Sequence, residues 1–168
     1  MKPALLDKKL RYPRSWSVLP SGIERKAIVE AELDEITQQF FGYHLVKVGN
    51  LSSELSLSKC SIKHCVNMVA KEHENASMRS LSRDMALKEN SVDGFVLAHE
   101  LDFAQDPHQI LREVDRAIMP DGDLVIVGFN PLSLTGLRKL VWFNSQSLLH
   151  EARFFSAEDK RLATSTWI

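Results

Sequence analysis

Only two cysteines, Cys60 and Cys65, occur in the 168 residues of the chain. Two thiols cannot build the dense disulfide framework on which small secreted domains depend, so free thiols and a reducing, cytoplasmic setting are expected. Long apolar runs are also missing. No stretch of the sequence approaches the roughly 20 residues of a membrane helix, and Met1 to Leu10 lacks the apolar centre of a signal peptide. Charge of one sign is equally scarce: the formal net charge is −1, which removes any global electrostatic case for nucleic acid or an anionic membrane surface. The basic cluster Lys2, Lys8, Lys9, Arg11 and Arg14 reads as part of a solvated, mobile leader over residues 1–15. Seven glycines and six prolines are too few for a fibrous or disordered chain.

What is present is a globular composition, 44% hydrophobic and 26% charged, at a length that suits one domain with one core. Ser21 and Glu24 fit a capping box, so a helix is predicted from Gly22 to near Phe41, with Ile23, Ala27, Ala31, Leu33, Ile36 and Phe40 as its apolar stripe and Gly42 as its stop. Strands are predicted at 44–49 (HLVKVG) and 61–69 (SIKHCVNMV), with a helical or irregular SSELSLSK between them. A weaker strand at 77–84 precedes a loop whose Lys-Glu-Asn-Ser end is turn chemistry.

The nearly continuous apolar centre of VDGFVLAHEL at 92–101 predicts a strand covered on both faces of a parallel sheet. Asp106, Pro107 and Gln109 then mark a helix start by capping, fixed φ and back-bonding. Ile110, Leu111, Val114 and Ile118 form its stripe, while Arg112, Glu113, Asp115 and Arg116 face outward. Pro120, Asp121 and Gly122 turn the chain into a further buried strand at 123–129. Strands alternating with helices predict a parallel α/β sheet with right-handed crossovers.

The stretch Ser91 to Leu140 carries Ser91-Val92-Asp93, Asp106-Pro107, Leu111-Arg112-Glu113 with Arg116, and Pro120-Asp121-Gly122 before an apolar strand. In these features it resembles class I S-adenosylmethionine-dependent methyltransferases from strand four to strand five. The segment beginning DPHQILREVDRAIMPDGDLVIVGFN is similar to a small bacterial subfamily, the YafS-type proteins, which resemble the chain from about Trp16 onward. The resemblance implies a Rossmann-like, doubly wound, mainly parallel sheet of the class I methyltransferase type over residues 16–143. It also implies S-adenosylmethionine as cofactor and methyl transfer to an acceptor, with a small molecule the expected class.

By position in that family, Gly49 and Asn50 correspond to the first cofactor loop, and Asn67 to the place near the end of strand two where an acidic residue usually grips the ribose. Asp84 and Met85 correspond to the loop beside adenine. His99, Glu100 and Asp102 lie where strand four meets cofactor and substrate, and His99 is the candidate general base because imidazole titrates near neutrality. Each has a plainer reading as well: Gly49 as a turn glycine, Asp84 as a turn cap, Met85 as core filling, and His99 with its acids as a hydrogen-bonded structure. Cys60, His64 and Cys65 do not have zinc-ligand spacing, since strand alternation sends His64 and Cys65 to opposite faces; no metal is expected there. Asn130 and Pro131 are expected to end a strand and shape a turn, with Arg138 nearby for an anionic group.

Few of the family's glycines and no strand-two acid are present, which leaves a catalytically inactive methyltransferase-like interaction module as the alternative. Residues 144–168 do not read as the family's closing strand pair. The expectation is a chain lacking that pair through truncation or frame shift, with the strand at 123–129 exposed as a sheet edge prone to self-association.

Overall fold

The computed structural model describes residues 12–71 and 73–129. After a short turn of helix at Trp16–Val18, α1 (Gly22–Thr37) leads into β1 (His44–Val48) and the single-turn α2 (Asn50–Ser53). β2 (His64–Val69), β3 (Met78–Arg79), β4 (Val92–Ala98), α3 (Pro107–Ala117) and β5 (Ile118–Val127) follow. The sheet order is β3-β2-β1-β4-β5, and every neighbouring pair is parallel. The order reverses direction between β1 and β4, the switch point at which open α/β sheets bind ligands beyond their carboxyl ends.

Alternation along the central strands divides the core into two layers. Leu45, Val96 and Ala98 join Leu33, Leu51 and Trp16 on one face; Val46, Val48, Phe95 and Leu97 join Ile110, Val114 and Ala117 of α3 on the other. Burying each such Leu, Val or Ile contributes about 1.5–3 kcal/mol. Helices on both faces explain why β4 is buried from Gly94 through Ala98, as the unbroken apolar run predicts. Lys47 also points into the first layer, where its Nζ donates to Leu55 O at 2.8 Å; burial lowers its pKa.

Several local expectations are corrected. Ser21 makes no side-chain cap and sits at φ 52°, because Gly22 is pressed so closely on the Trp16 carbonyl that a Cβ there would collide with it. Packing overrides the capping box. α1 closes at Thr37, whose Oγ1 donates back to Leu33 O at 2.7 Å, and Ile23, Ala27 and Ala31 are exposed; the buried positions are Gly22, Val29, Leu33 and Thr37. Gly42 lies beyond the helix, packed on Asp93, whose Oδ2 accepts from the Tyr43 and His44 amides at 2.9 Å each.

The strand expected at 77–84 shrinks to Met78–Arg79. The next segment folds instead into a small turn closed by Leu81 and Asp84. Pro120-Asp121-Gly122 is a bulge within β5: Val92 pairs with Ile118 but Gly94 with Asp123. Glu113 and Arg116 do not simply face outward. Glu113 accepts from the Met85 amide at 2.9 Å, and Arg116 reaches the Met85 and Leu87 carbonyls at 3.0 and 2.8 Å. Among the described residues β5 is a sheet edge; Asn130, Pro131, Arg138 and the segment 144–168 lie outside the described residues.

Candidate functional site

β1 runs into Gly49, whose N–H donates to Met68 O at 2.8 Å and whose carbonyl accepts from Ser53 N at 3.0 Å. Its φ of 91° with ψ of 168° is a conformation open essentially to glycine alone. A Cβ at this position would run into Glu100 Oε2 and stand 2.5 Å from the Tyr12 hydroxyl. Asn50 opens α2, and its Nδ2 donates to Pro13 O at 3.3 Å. Ser52 accepts from the Ala98 amide at 2.7 Å, which ties this loop to the last residue of β4.

At the end of β4 the chain turns sharply. His99 has φ 56°, uncommon for a residue with a side chain and a feature that concentrates at functional sites. Its ring is buried, stacked on Phe129 with centroids 4.1 Å apart and set edge-on to Trp16 at 5.4 Å. His99 Nδ1 lies 2.8 Å from Asp102 Oδ2, which also accepts from the Phe129 amide at 3.1 Å. A carboxylate accepts only, so this contact fixes Nδ1 as the protonated nitrogen and leaves Nε2 as the ring's acceptor.

Glu100 is buried, and among the described residues Glu100 Oε2 and Tyr12 Oη have no hydrogen-bond partner. Burial pushes the Glu100 carboxyl up to about 8, so near neutral pH it is a neutral acid. Two unpaired polar atoms thus converge on the one residue of the β1 loop that has no side chain.

Residues that sequence reasoning passes over complete the surroundings. Tyr12 packs edge-on to Phe103 at 6.0 Å. Glu54 Oε2 accepts from Ser15 Oγ at 3.2 Å and the Trp16 amide at 3.4 Å, while its Oε1 lies 3.6 Å from His73 Nε2. Trp16 Nε1 donates to Leu51 O at 2.8 Å. The stretch before α1, the β1 loop and the β2–β3 loop are fastened together. Only the apolar character of Tyr12 and Trp16 in a basic, polar context signals this in the sequence.

The structure therefore brings Gly49, Asn50, His99 and Glu100 to the carboxyl ends of β1 and β4. Asn67, Asp84 and Met85 have other settings. Asn67 is within β2, level with Lys47, and donates to Asn75 O at 2.7 Å, whereas the strand runs on to Val69. Ala70 and Lys71, which follow, carry no carboxylate. Asp84 is exposed in its turn, and Met85 is buried in the layer beneath α3. No group of three or more His, Cys, Asp or Glu side chains among the described residues is placed to hold a metal ion, and no helix among them is long and apolar enough to cross a membrane.

Residues 47–126, from β1 into β5, match the methyltransferase-domain family. Across 156 residues the chain is 37% identical to the uncharacterized protein YafS of Escherichia coli strain K12, spanning 93% of this chain and 65% of YafS. The fold is similar to that of a SAM-dependent methyltransferase from Thermotoga maritima, described as a possible histamine N-methyltransferase. The TM-score is 0.60 at 21% identity, over 83% of this chain and 72% of that one. It is also similar to the cyclase SpnF, with a TM-score of 0.51 at 16% identity over 74% and 54% of the two chains. These two structural likenesses are likenesses of fold, and a fold does not fix a reaction.

Proposed function

We propose that this chain, which is of the class I methyltransferase type and resembles YafS, binds S-adenosylmethionine over the carboxyl ends of β1 and β4 and transfers its methyl group to a small-molecule acceptor. The observation that carries this reading is the convergence of the unpaired Glu100 and Tyr12 oxygens on Gly49. A buried polar group without a partner costs about 1–3 kcal/mol. That cost is offset when a ligand supplies the missing donors, and an ammonium group has three. The methionine end of the cofactor carries such a group, so the chemistry of these residues fits it, and Tyr12, packed over Gly49, would have to shift to admit it.

On binding, Glu100 would give up its proton so that its carboxylate, with the Tyr12 hydroxyl, holds that ammonium; Gly49 would let the backbone approach, and Asn50 would shape the loop. S-adenosylmethionine, when bound, supplies a methyl group already activated on a sulfonium sulfur. The chain's contribution is then chiefly proximity and orientation. His99, with Nδ1 committed to Asp102, would accept at Nε2 the proton that an N–H or O–H acceptor gives up. The two free cysteines support a reducing, cytoplasmic compartment, and the edge position of β5 among the described residues supports weak self-association.

The inactive interaction module is the second reading. It is favoured by the single-turn α2 and by the lack of a carboxylate within β2 and at Ala70 and Lys71. Calorimetric titration with S-adenosylmethionine and S-adenosylhomocysteine divides the two. The enzyme reading expects micromolar binding abolished by Gly49→Arg; a folded wild-type chain that gives no heat at millimolar ligand favours the module.

A further inference from the structure

At the opposite end of the sheet, β1 and β2 begin with His44 and His64, which are direct partners in the parallel register. Both side chains are exposed. Their Nδ1 atoms are 2.8 Å apart, and the rings meet edge to face with centroids 4.9 Å apart at 79°. Beside them Asp93, on the strand at the other side of β1, holds the His44 amide through Oδ2. Two imidazole nitrogens are thus aimed at one another from adjacent strands, on a rigid part of the fold with a carboxylate close by.

We propose that His44 and His64 form a two-imidazole site for a borderline divalent transition-metal ion, with Cu(II) the best fit and water filling the remaining coordination positions. Once the rings turn so that both lone pairs face it, an ion about 2.1 Å from each of two nitrogens still 2.8 Å apart sees them at about 84°. That is close to the right angle of tetragonal or octahedral coordination and far from the tetrahedral angle that zinc prefers. Imidazole suits Cu(II), Ni(II) and Zn(II), and Cu(II) stands highest in general affinity.

The strands hold both residues in register, and binding requires that the two rings, hydrogen-bonded Nδ1 to Nδ1 in the metal-free chain, turn about their side-chain bonds to face the ion. In the metal-free pair one ring donates from Nδ1 to the other. On binding, that ring loses its Nδ1 proton to solvent and takes one at Nε2, so a neutral pair releases no net proton. Both rings must be neutral to bind the ion, and acidification therefore weakens the site. The location is independent of the carboxyl-end cofactor reading, and either can fail without the other.

The test is titration of the full chain with copper(II) sulfate in a non-coordinating buffer, followed by calorimetry and electron paramagnetic resonance. The expected result is one equivalent with a two-nitrogen signature, weakened at least tenfold in His44→Ala and in His64→Ala. The double variant measures binding by the remaining histidines. In the wild-type chain substoichiometric Cu(II) should broaden the His44 and His64 ring resonances before those of any other histidine, a readout that needs no variant. Equal titration of wild type and double variant, or first broadening at other histidines, overturns the proposal and leaves only a hydrogen-bonded pair.

Discussion

The carboxyl group of Glu100 lies where any side chain on Gly49 would have to go. Two elements distant in sequence but adjacent in the sheet therefore meet without room for a single added carbon. Gly49→Ala adds that carbon at a backbone conformation of φ 91°, which costs about 1–3 kcal/mol in strain before the contact with Glu100 is counted. Urea denaturation is expected to show a loss of at least that size, and binding of S-adenosylhomocysteine should weaken with it.

Glu100 also predicts a pH dependence. Its folded-state pKa is about 8, against an ordinary value of 4.5, so between those values the folded chain keeps a proton that the unfolded chain has lost. Its contribution to stability is full below the ordinary carboxylate range and is lost as pH rises through about 8, by on the order of a few kcal/mol. Denaturation midpoints measured from pH 5 to 9 should fall with pH in the wild type. The decline should be much shallower in Glu100→Gln, which cannot ionise.

Asp102 is the common acceptor for the His99 ring and the Phe129 amide. Asp102→Asn keeps the shape but gives one donor-bearing and one accepting atom in place of two acceptors. Stability should drop by about 1–3 kcal/mol. Nitrogen NMR of the His99 ring should show its fixed Nδ1–H tautomer replaced by a mixture. An unchanged tautomer would remove Asp102 from the role of orienting His99.

On the far side of the sheet, Arg116 and Glu113 clamp the Met85–Leu87 segment to α3. Hydrogen bonding from Arg116 holds the Glu113 carboxyl below its usual range, so the clamp's contribution is full above that range and is lost as pH falls below it through the lowered pKa. Arg116→Ala should speed hydrogen exchange of the Met85 amide by about five- to tenfold, the worth of roughly one hydrogen bond, with little change in exchange along β1 and β4.

Features governed by neighbours in sequence are legible without a structure. Asp106 does accept from Gln109 N at 3.1 Å with Pro107 in the first turn, because a helix start is fixed by a few consecutive residues. The apolar run ending at Ala98 is a central strand for an equally local reason. Placing His99 and Glu100 at its carboxyl end also follows from the pattern. What cannot be read is set by contacts over long separations. Ser21 loses its cap to the packing of Gly22 on Trp16, and the Glu54 contacts with Ser15 and Trp16 link residues 39 and 38 positions apart. Tyr12 becomes part of the site only because the chain ahead of α1 folds back across the β1 loop. The burial of Glu100, which makes it chemically unusual, is likewise a property of the folded chain and not of its neighbours in sequence.

The central claim, that Glu100 and Tyr12 hold the charged end of the cofactor above Gly49, is tested most directly by the affinity of S-adenosylhomocysteine for the wild type, Glu100→Gln and Tyr12→Phe. Micromolar binding by the wild type and at least tenfold weakening in each variant are expected, with folding verified by thermal melts. A folded wild type that does not bind at millimolar ligand, or variants that bind as the wild type does, would contradict it.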